Sequence, residues 1–167
     1  MKSVVELLVE RGSGEDILEY CKGQGLILNP KDIFHSTVYF SARIPVFFDS
    51  ELLDRLKKKL PIELDFRTYF FDIFEGCLVL RYENETFRAI NKMLLSDIER
   101  QIRHVWPNLD EYGRKILGNF SKEEPATIYP EFNPHITISK KFERHNLGTL
   151  LQFAKEIVLD TPNFYFE

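Results

Sequence analysis

The chain lacks most of the features that mark specialised protein classes. Its 167 residues hold only two cysteines, Cys21 and Cys77, which lie far apart and outside any CxxC or Cys/His cluster. Neither a disulfide framework nor a structural zinc site is encoded, and both cysteines are expected to be small core hydrophobes. A basic excess is missing too: 22 Lys and Arg stand against 26 Asp and Glu, for a net charge of -4, which argues against a general coat for long RNA or DNA. No stretch approaches the roughly 18 to 20 consecutive apolar residues of a membrane span. Met1 to Glu10 carries Glu6 and Glu10 where a signal peptide would be apolar. A cytosolic protein without a membrane partner is expected. Low-complexity segments and linkers are absent as well, so residues 1–167 read as a single domain with one core.

What is present is a mixture of strands and helices. Ser3 to Val9 is a β-prone run; Gly12-Ser13-Gly14 is expected to break it before a short helix carrying Ile17, Leu18 and Cys21, which Gly23 and Gly25 end. A turn at Asn29-Pro30 precedes a strand, His35 to Ser41. Asp49 or Ser50 caps a predicted helix through Lys59, with Leu52, Leu53, Leu56 and Leu60 on its apolar side, until Pro61 stops it. Ile62 to Arg67 alternates as a half-buried strand, which Tyr69-Phe70-Phe71 is expected to continue; after a Glu75-Gly76 turn, Cys77 to Tyr82 is its antiparallel partner. Phe87, Ile90, Leu94, Ile98, Ile102 and Val105 paint one stripe of a helix that starts near Glu85 and ends before Pro107. Residues 108–134 read as an irregular connection or lid. They are followed by a strand at His135 to Ser139, a helical pattern from Leu147 to Ile157, and a last strand at Asn163 to Phe166. Strand-rich halves with one or two helices each indicate an α+β fold, because the alternation is too irregular for a doubly wound parallel sheet.

The chemistry lies in a duplication. His35-Ser36-Thr37-Val38 and His135-Ile136-Thr137-Ile138 both read His, any residue, Thr, aliphatic, and both fall in predicted strands. Residues two apart on a strand point to the same face, so each motif presents an imidazole beside a hydroxyl. Two such strands facing each other make a cleft with two imidazoles and two hydroxyls. Phosphodiester cleavage needs such a set: one group takes a proton from the attacking oxygen and another gives one to the leaving oxygen, each step worth about 100 to 10,000-fold in rate. Histidine suits both roles near neutral pH, and the hydroxyls of Thr37 and Thr137 can donate to the non-bridging phosphate oxygens. The residues alone do not decide which histidine is the base.

With these two motifs the sequence resembles the 2H phosphoesterase superfamily, whose signature is a pair of His-x-Ser/Thr-hydrophobic motifs on strands of two lobes. The run from Ile17 to Pro45 and the phrase Pro134-His135-Ile136-Thr137-Ile138-Ser139 look most like the bacteriophage anti-CBASS phosphodiesterases, which degrade the cyclic di- and trinucleotide signals of bacterial immunity. The charged segment Asp110 to Glu131 departs from that pattern. The resemblance implies a bilobal fold of two pseudo-symmetric antiparallel sheets around a central groove with helices outside. It also implies catalysis by His35 and His135 with phosphate held by Thr37 and Thr137, no metal or other cofactor, and, for a viral protein, action in the host cytoplasm. A ribose 2'-hydroxyl would be the nucleophile and a 2',3'-cyclic phosphate the first product.

Weaker candidates surround this set. Arg43 and Lys140 follow the motifs and could reach a phosphate; Tyr39 shares the face of His35 and Thr37 by parity and could stack a base. Trp106, Tyr112 and Tyr129 flank or occupy the irregular segment, where a base could be sandwiched. His104 and His145 read as surface or structural histidines. The expected substrate is a cyclic or other short oligonucleotide, with no long nucleic acid and no obligate protein partner. The alternatives are a 2',3'-cyclic phosphate at an RNA end, a 2'-5' oligoadenylate, or a non-catalytic sponge that sequesters the cyclic nucleotide. No Asp/His/Glu cluster with metal-ligand spacing is present in the sequence, so turnover in chelator is expected.

Overall fold

The computed structural model describes residues 2–28, 34–41, 48–118 and 132–166. The elements run β1 (Ser3–Val9), α1 (Arg11–Gly23), β2 (His35–Ser41), α2 (Ser50–Lys57), β3 (Ile62–Leu64), β4 (Phe70–Phe74), β5 (Cys77–Arg81), α3 (Glu85–Val105), α4 (Glu111–Gly118), β6 (His135–Ser139) and β7 (Ile157–Phe166). They form an α+β fold with two antiparallel sheets, one of four strands in the order β2-β1-β7-β3 and one of three in the order β4-β5-β6. The two motif strands, β2 and β6, are each an edge of their sheet. One core cluster joins Val5, Leu7 and Leu159 of the larger sheet to Leu78, Leu80 and Ile136 of the smaller. No helix among the described residues is long and apolar enough to cross a membrane.

The helices cover the core face. The stripe of α3 buries Phe87, Ile90, Leu94 and Ile98 beside β2, α2 adds Leu52 and Leu56, and α1 contributes Ile17 and Cys21. Asn84 starts α3 by accepting from the Phe87 backbone, and Asp49 starts α2 by accepting from Leu52. Cys21 is buried as expected, whereas Cys77 is half-buried at the rim of a cavity.

Five expectations need correction. Gly12-Ser13-Gly14 does not break the chain but forms the first turn of α1, because Glu10 accepts from the Gly12 backbone and the Ser13 hydroxyl. The run from Ile62 to Phe71 is not one strand. Asp65 accepts from the Arg67 backbone and closes a short 3-10 turn at Phe66–Thr68, so β3 joins the larger sheet and β4 the smaller. Helix α4 lies within the stretch read as irregular; residues 119–131 fall outside those described. The helical pattern at Leu147 to Ile157 gives only a 3-10 turn at Arg144–Thr149 followed by extended chain. There the backbone of Leu151 is held by Tyr20 and Gln24, and Phe153 is buried against their element. The last strand begins at Ile157 rather than Asn163, since its first residues pair with β3 and the rest with β1.

Candidate active site

The two motif strands share a local irregularity. Along β1 and β2, Val5 pairs with Tyr39 and Glu6 with Thr37, which leaves Val38 as an extra residue. Along β5 and β6, Leu78 pairs with Ser139 and Val79 with Thr137, which leaves Ile138 as an extra residue. Each strand therefore carries a β-bulge at the aliphatic fourth position of its motif. The bulge keeps His and Thr on one face and turns the next residue to the other. This corrects the parity expectation for Tyr39. Its ring is fully buried, edge-on to Phe48, and does not share the face of His35 and Thr37.

A buried latch ties the motifs together. The Ser36 hydroxyl donates to the His135 carbonyl at 2.8 Å, and the Tyr82 hydroxyl donates to Ser36 at 2.6 Å. Tyr82 is wholly enclosed, and burial pushes its phenol well above the ordinary value. Asn91 of α3 donates to the carbonyl of the bulge residue Val38 at 2.7 Å, and Ser139 donates to Ile27 at 2.7 Å. The Val38 carbonyl at the β2 bulge thus has a side-chain donor, while Ser139 ties the end of β6 to the segment after α1.

The surroundings of the two imidazoles differ. In the smaller sheet Arg81 sits directly opposite His135, and its Nε lies 3.0 Å from Asp72 on β4. The Nδ1 of His135 lies 2.9 Å from the Asn133 carbonyl oxygen, which can only accept, so Nδ1 carries the proton and Nε2 keeps its lone pair. Burial holds the His135 pKa below its ordinary value of 6.5; the Asn133 bond opposes this, and the charges of Arg81 and His35 add to it. In the larger sheet Leu8 sits opposite His35, and the carboxylate of Glu6 approaches His35 Nε2 to 3.1 Å.

A cavity of about 500 Å³ adjoins His35 and Thr137. Leu18, Leu28, Phe34 and Ile138 give it apolar walls, and Arg11 and Lys140 contribute cations. Lys140 is exposed and lines this cavity, while Arg43 and Tyr129 lie outside the described residues. Trp106 is not at this cavity: it follows α3, with its ring next to Gly118 of α4. Tyr112 is exposed on α4, His104 is exposed on α3, and His145 pairs with Glu143 on the surface.

Three contributors escaped the sequence reading. Glu6 is a lone acid in an apolar strand, a signal that was legible as an oddity. Arg81 needed the β5–β6 register to be found. Phe74, 43% exposed, packs its ring at 4.9 Å from that of His135, and Phe70 lies further along the same face of β4. Among the described residues no three His, Cys, Asp or Glu side chains converge as a metal site would require. No protein-family model matches the chain, and comparison with curated proteins finds no match either.

Proposed function

We propose that this protein is a metal-independent phosphodiesterase of the 2H type, cutting cyclic di- or trinucleotides with His35 and His135 as its acid and base pair. The observation that carries the reading is the matched pair of bulged edge strands, latched through Ser36, with His35 of one motif and Thr137 of the other lining the same cavity. The chemistry follows from that arrangement. One imidazole takes the proton of the ribose 2'-hydroxyl, whose oxygen attacks the adjacent phosphorus. The other protonates the departing 5'-oxygen, and the Thr37 and Thr137 hydroxyls donate to the non-bridging oxygens as charge builds there. The products are a 2',3'-cyclic phosphate and a 5'-hydroxyl.

The cavity supports a small substrate. Its volume lies in the ordinary range for ligand sites, about 300 to 1,000 Å³, and suits a nucleotide or two. Arg11 and Lys140 suit a second phosphate, and the exposed ring of Phe74 beside His135 offers a face for a base.

The test incubates the protein in EDTA with 3',3'-cyclic di- and trinucleotides, a 2'-5' oligoadenylate and an RNA ending in 2',3'-cyclic phosphate. Turnover of a cyclic oligonucleotide to a 2',3'-cyclic phosphate product is expected. Turnover of the linear substrates alone would move the protein to RNA-end or oligoadenylate chemistry. Tight binding of a cyclic nucleotide without turnover of any substrate would replace the enzyme by a sponge.

A further inference from the structure

Beyond His135 the smaller sheet carries a row of side chains that the reaction above does not use. Phe70 of β4, Arg81 of β5 and His135 of β6 are direct cross-strand partners, so an aromatic ring, a guanidinium and the motif imidazole stand in line on one face. Neighbours in such a row have Cβ atoms about 4.5–5.5 Å apart. The ring of Phe70 is 54% exposed. Asp72 shares this face by alternation and joins two cations: Arg81 Nε lies 3.0 Å from its Oδ2, and Arg144 Nη1 donates to its Oδ1 at 3.4 Å. Two guanidiniums on one carboxylate leave one positive charge, and the Ile73 backbone N–H donates to the same carboxylate at 2.8 Å. Arg81 Nε is enclosed, yet its N–H is aligned on no acceptor among the described residues, where Asp72 is the one charged partner of the side chain. The guanidinium fork thus keeps donors for a ligand.

We propose that this row is a nucleotide subsite separate from the cavity, in which Arg81 binds a phosphate next to the scissile one and Phe70 stacks the base beside it, so that the preferred substrate is a ring of three nucleotides rather than two. The inference rests on the phosphodiesterase reading above. A planar guanidinium meets two phosphate oxygens at once, and an exposed ring stacks on a base of any identity. Location gives the ring size. The cavity adjoins His35 and Thr137 and carries Arg11 and Lys140, and none of Phe70, Asp72 or Arg81 lines it. The row leaves His135 in the other direction: β6 meets β2 through the Ser36 latch, whereas Arg81 and Phe70 lie on its far side, on β5 and β4. The two subsites therefore flank the scissile phosphate. A two-nucleotide ring has one phosphate besides the scissile one and fills one subsite at a time. A three-nucleotide ring has two and fills both.

The test compares a 3',3'-cyclic trinucleotide with a 3',3'-cyclic dinucleotide, using wild type, Arg81→Gln, Arg81→Lys, Phe70→Ala and Lys140→Gln. Wild type has the higher kcat/KM on the trinucleotide. The quantity read is the ratio of trinucleotide to dinucleotide kcat/KM. Arg81→Gln lowers it roughly 10- to 100-fold through loss of a charge-assisted contact, and Phe70→Ala roughly 5- to 100-fold through loss of a stack. Arg81→Lys keeps the charge without the fork and falls between wild type and Arg81→Gln. Lys140→Gln, in the cavity that both rings use, weakens both substrates and leaves the ratio in place. Arg81 also acts on the charge of His135, and that effect, like any loss of folded protein, falls on both substrates and cancels in the ratio. If Arg81→Gln fails to fold, Arg81→Lys and the exposed Phe70→Ala carry the comparison.

A wild type without preference for the three-nucleotide ring, a ratio that Arg81→Gln or Phe70→Ala leaves unmoved, or one that Lys140→Gln shifts as far would overturn the proposal. A wild type that turns over neither ring would refute the phosphodiesterase reading, and the subsite is then decided by binding. Calorimetry with the 2'-deoxy forms of both rings, which keep the phosphates but lack the attacking hydroxyl, gives that answer. A Kd for the three-nucleotide ring that rises roughly 10- to 100-fold in Arg81→Gln, relative to the two-nucleotide ring, keeps the row as a binding site. Equal changes for both rings, or no binding of the larger ring by wild type, would remove it.

Discussion

Replacing Ser36 by Ala removes one oxygen from the latch between the motif strands and nothing from the face that carries His35 and Thr37. The residue is fully buried, accepts from Tyr82 and donates to the His135 carbonyl. Its loss leaves the enclosed Tyr82 hydroxyl without its acceptor, a penalty of about 1–3 kcal/mol, and removes a donor from the carbonyl, a further ~1 kcal/mol. The sum, about 2–4 kcal/mol, corresponds in a chain of this size to a fall in Tm on the order of 10 °C. Tyr82→Phe alone leaves the Ser36–His135 bond in place and should cost about 1 kcal/mol. In the double variant no hydroxyl is stranded, so its cost should fall below the sum of the singles by about 1–2 kcal/mol. Urea unfolding of the four proteins measures all of these. Ser36→Ala within 0.5 kcal/mol of wild type, or a strictly additive double variant, would refute the latch.

Other consequences are open to equally direct checks. Because the folded His135 has a pKa below 6.5, its contribution to stability is complete above that pH and is lost as the pH falls through the lowered value. Wild type should therefore lose more unfolding free energy than His135→Asn between pH 7.5 and pH 5, and equal losses would contradict the burial argument. Phe74→Ala should raise KM about 5- to 100-fold through loss of roughly 1–3 kcal/mol of base stacking, with kcat less affected; an unchanged KM would remove the ring from the binding surface. Cys21 is buried and its thiol is pushed up to about 11, so it should resist alkylation in the folded protein. Cys77 at the cavity rim should react, and a bound cyclic nucleotide should slow that reaction; mass spectrometry of labelled peptides distinguishes the two thiols.

The elements that the sequence made legible rest on local rules. The stripe of α3, the cap at Asp49 and the alternation of β2 and β6 need no knowledge of neighbours. Errors arose where a distant partner decides the local conformation. The run from Leu147 to Ile157 has a helical pattern, yet past Thr149 it is extended, with the Leu151 backbone bound by Tyr20 and Gln24. Parity placed Tyr39 beside Thr37, but one unpaired residue, Val38, shifts everything after it by a face. Glu6 and Arg81 acquire their meaning from cross-strand register, which connects residues remote in sequence and is invisible to periodicity.

The central claim is that the two His-x-Thr motifs act as one unit on one phosphate. Its most direct test is the rate of wild type, His35→Ala, His135→Ala and the double variant on the same cyclic oligonucleotide in EDTA. Each single variant should lose about 100 to 10,000-fold, and the double should fall far less than the product of the two losses, because a reaction that has lost either partner gains little from the other. Full activity in either single variant, or turnover that disappears in EDTA and returns with a divalent metal, would contradict the account.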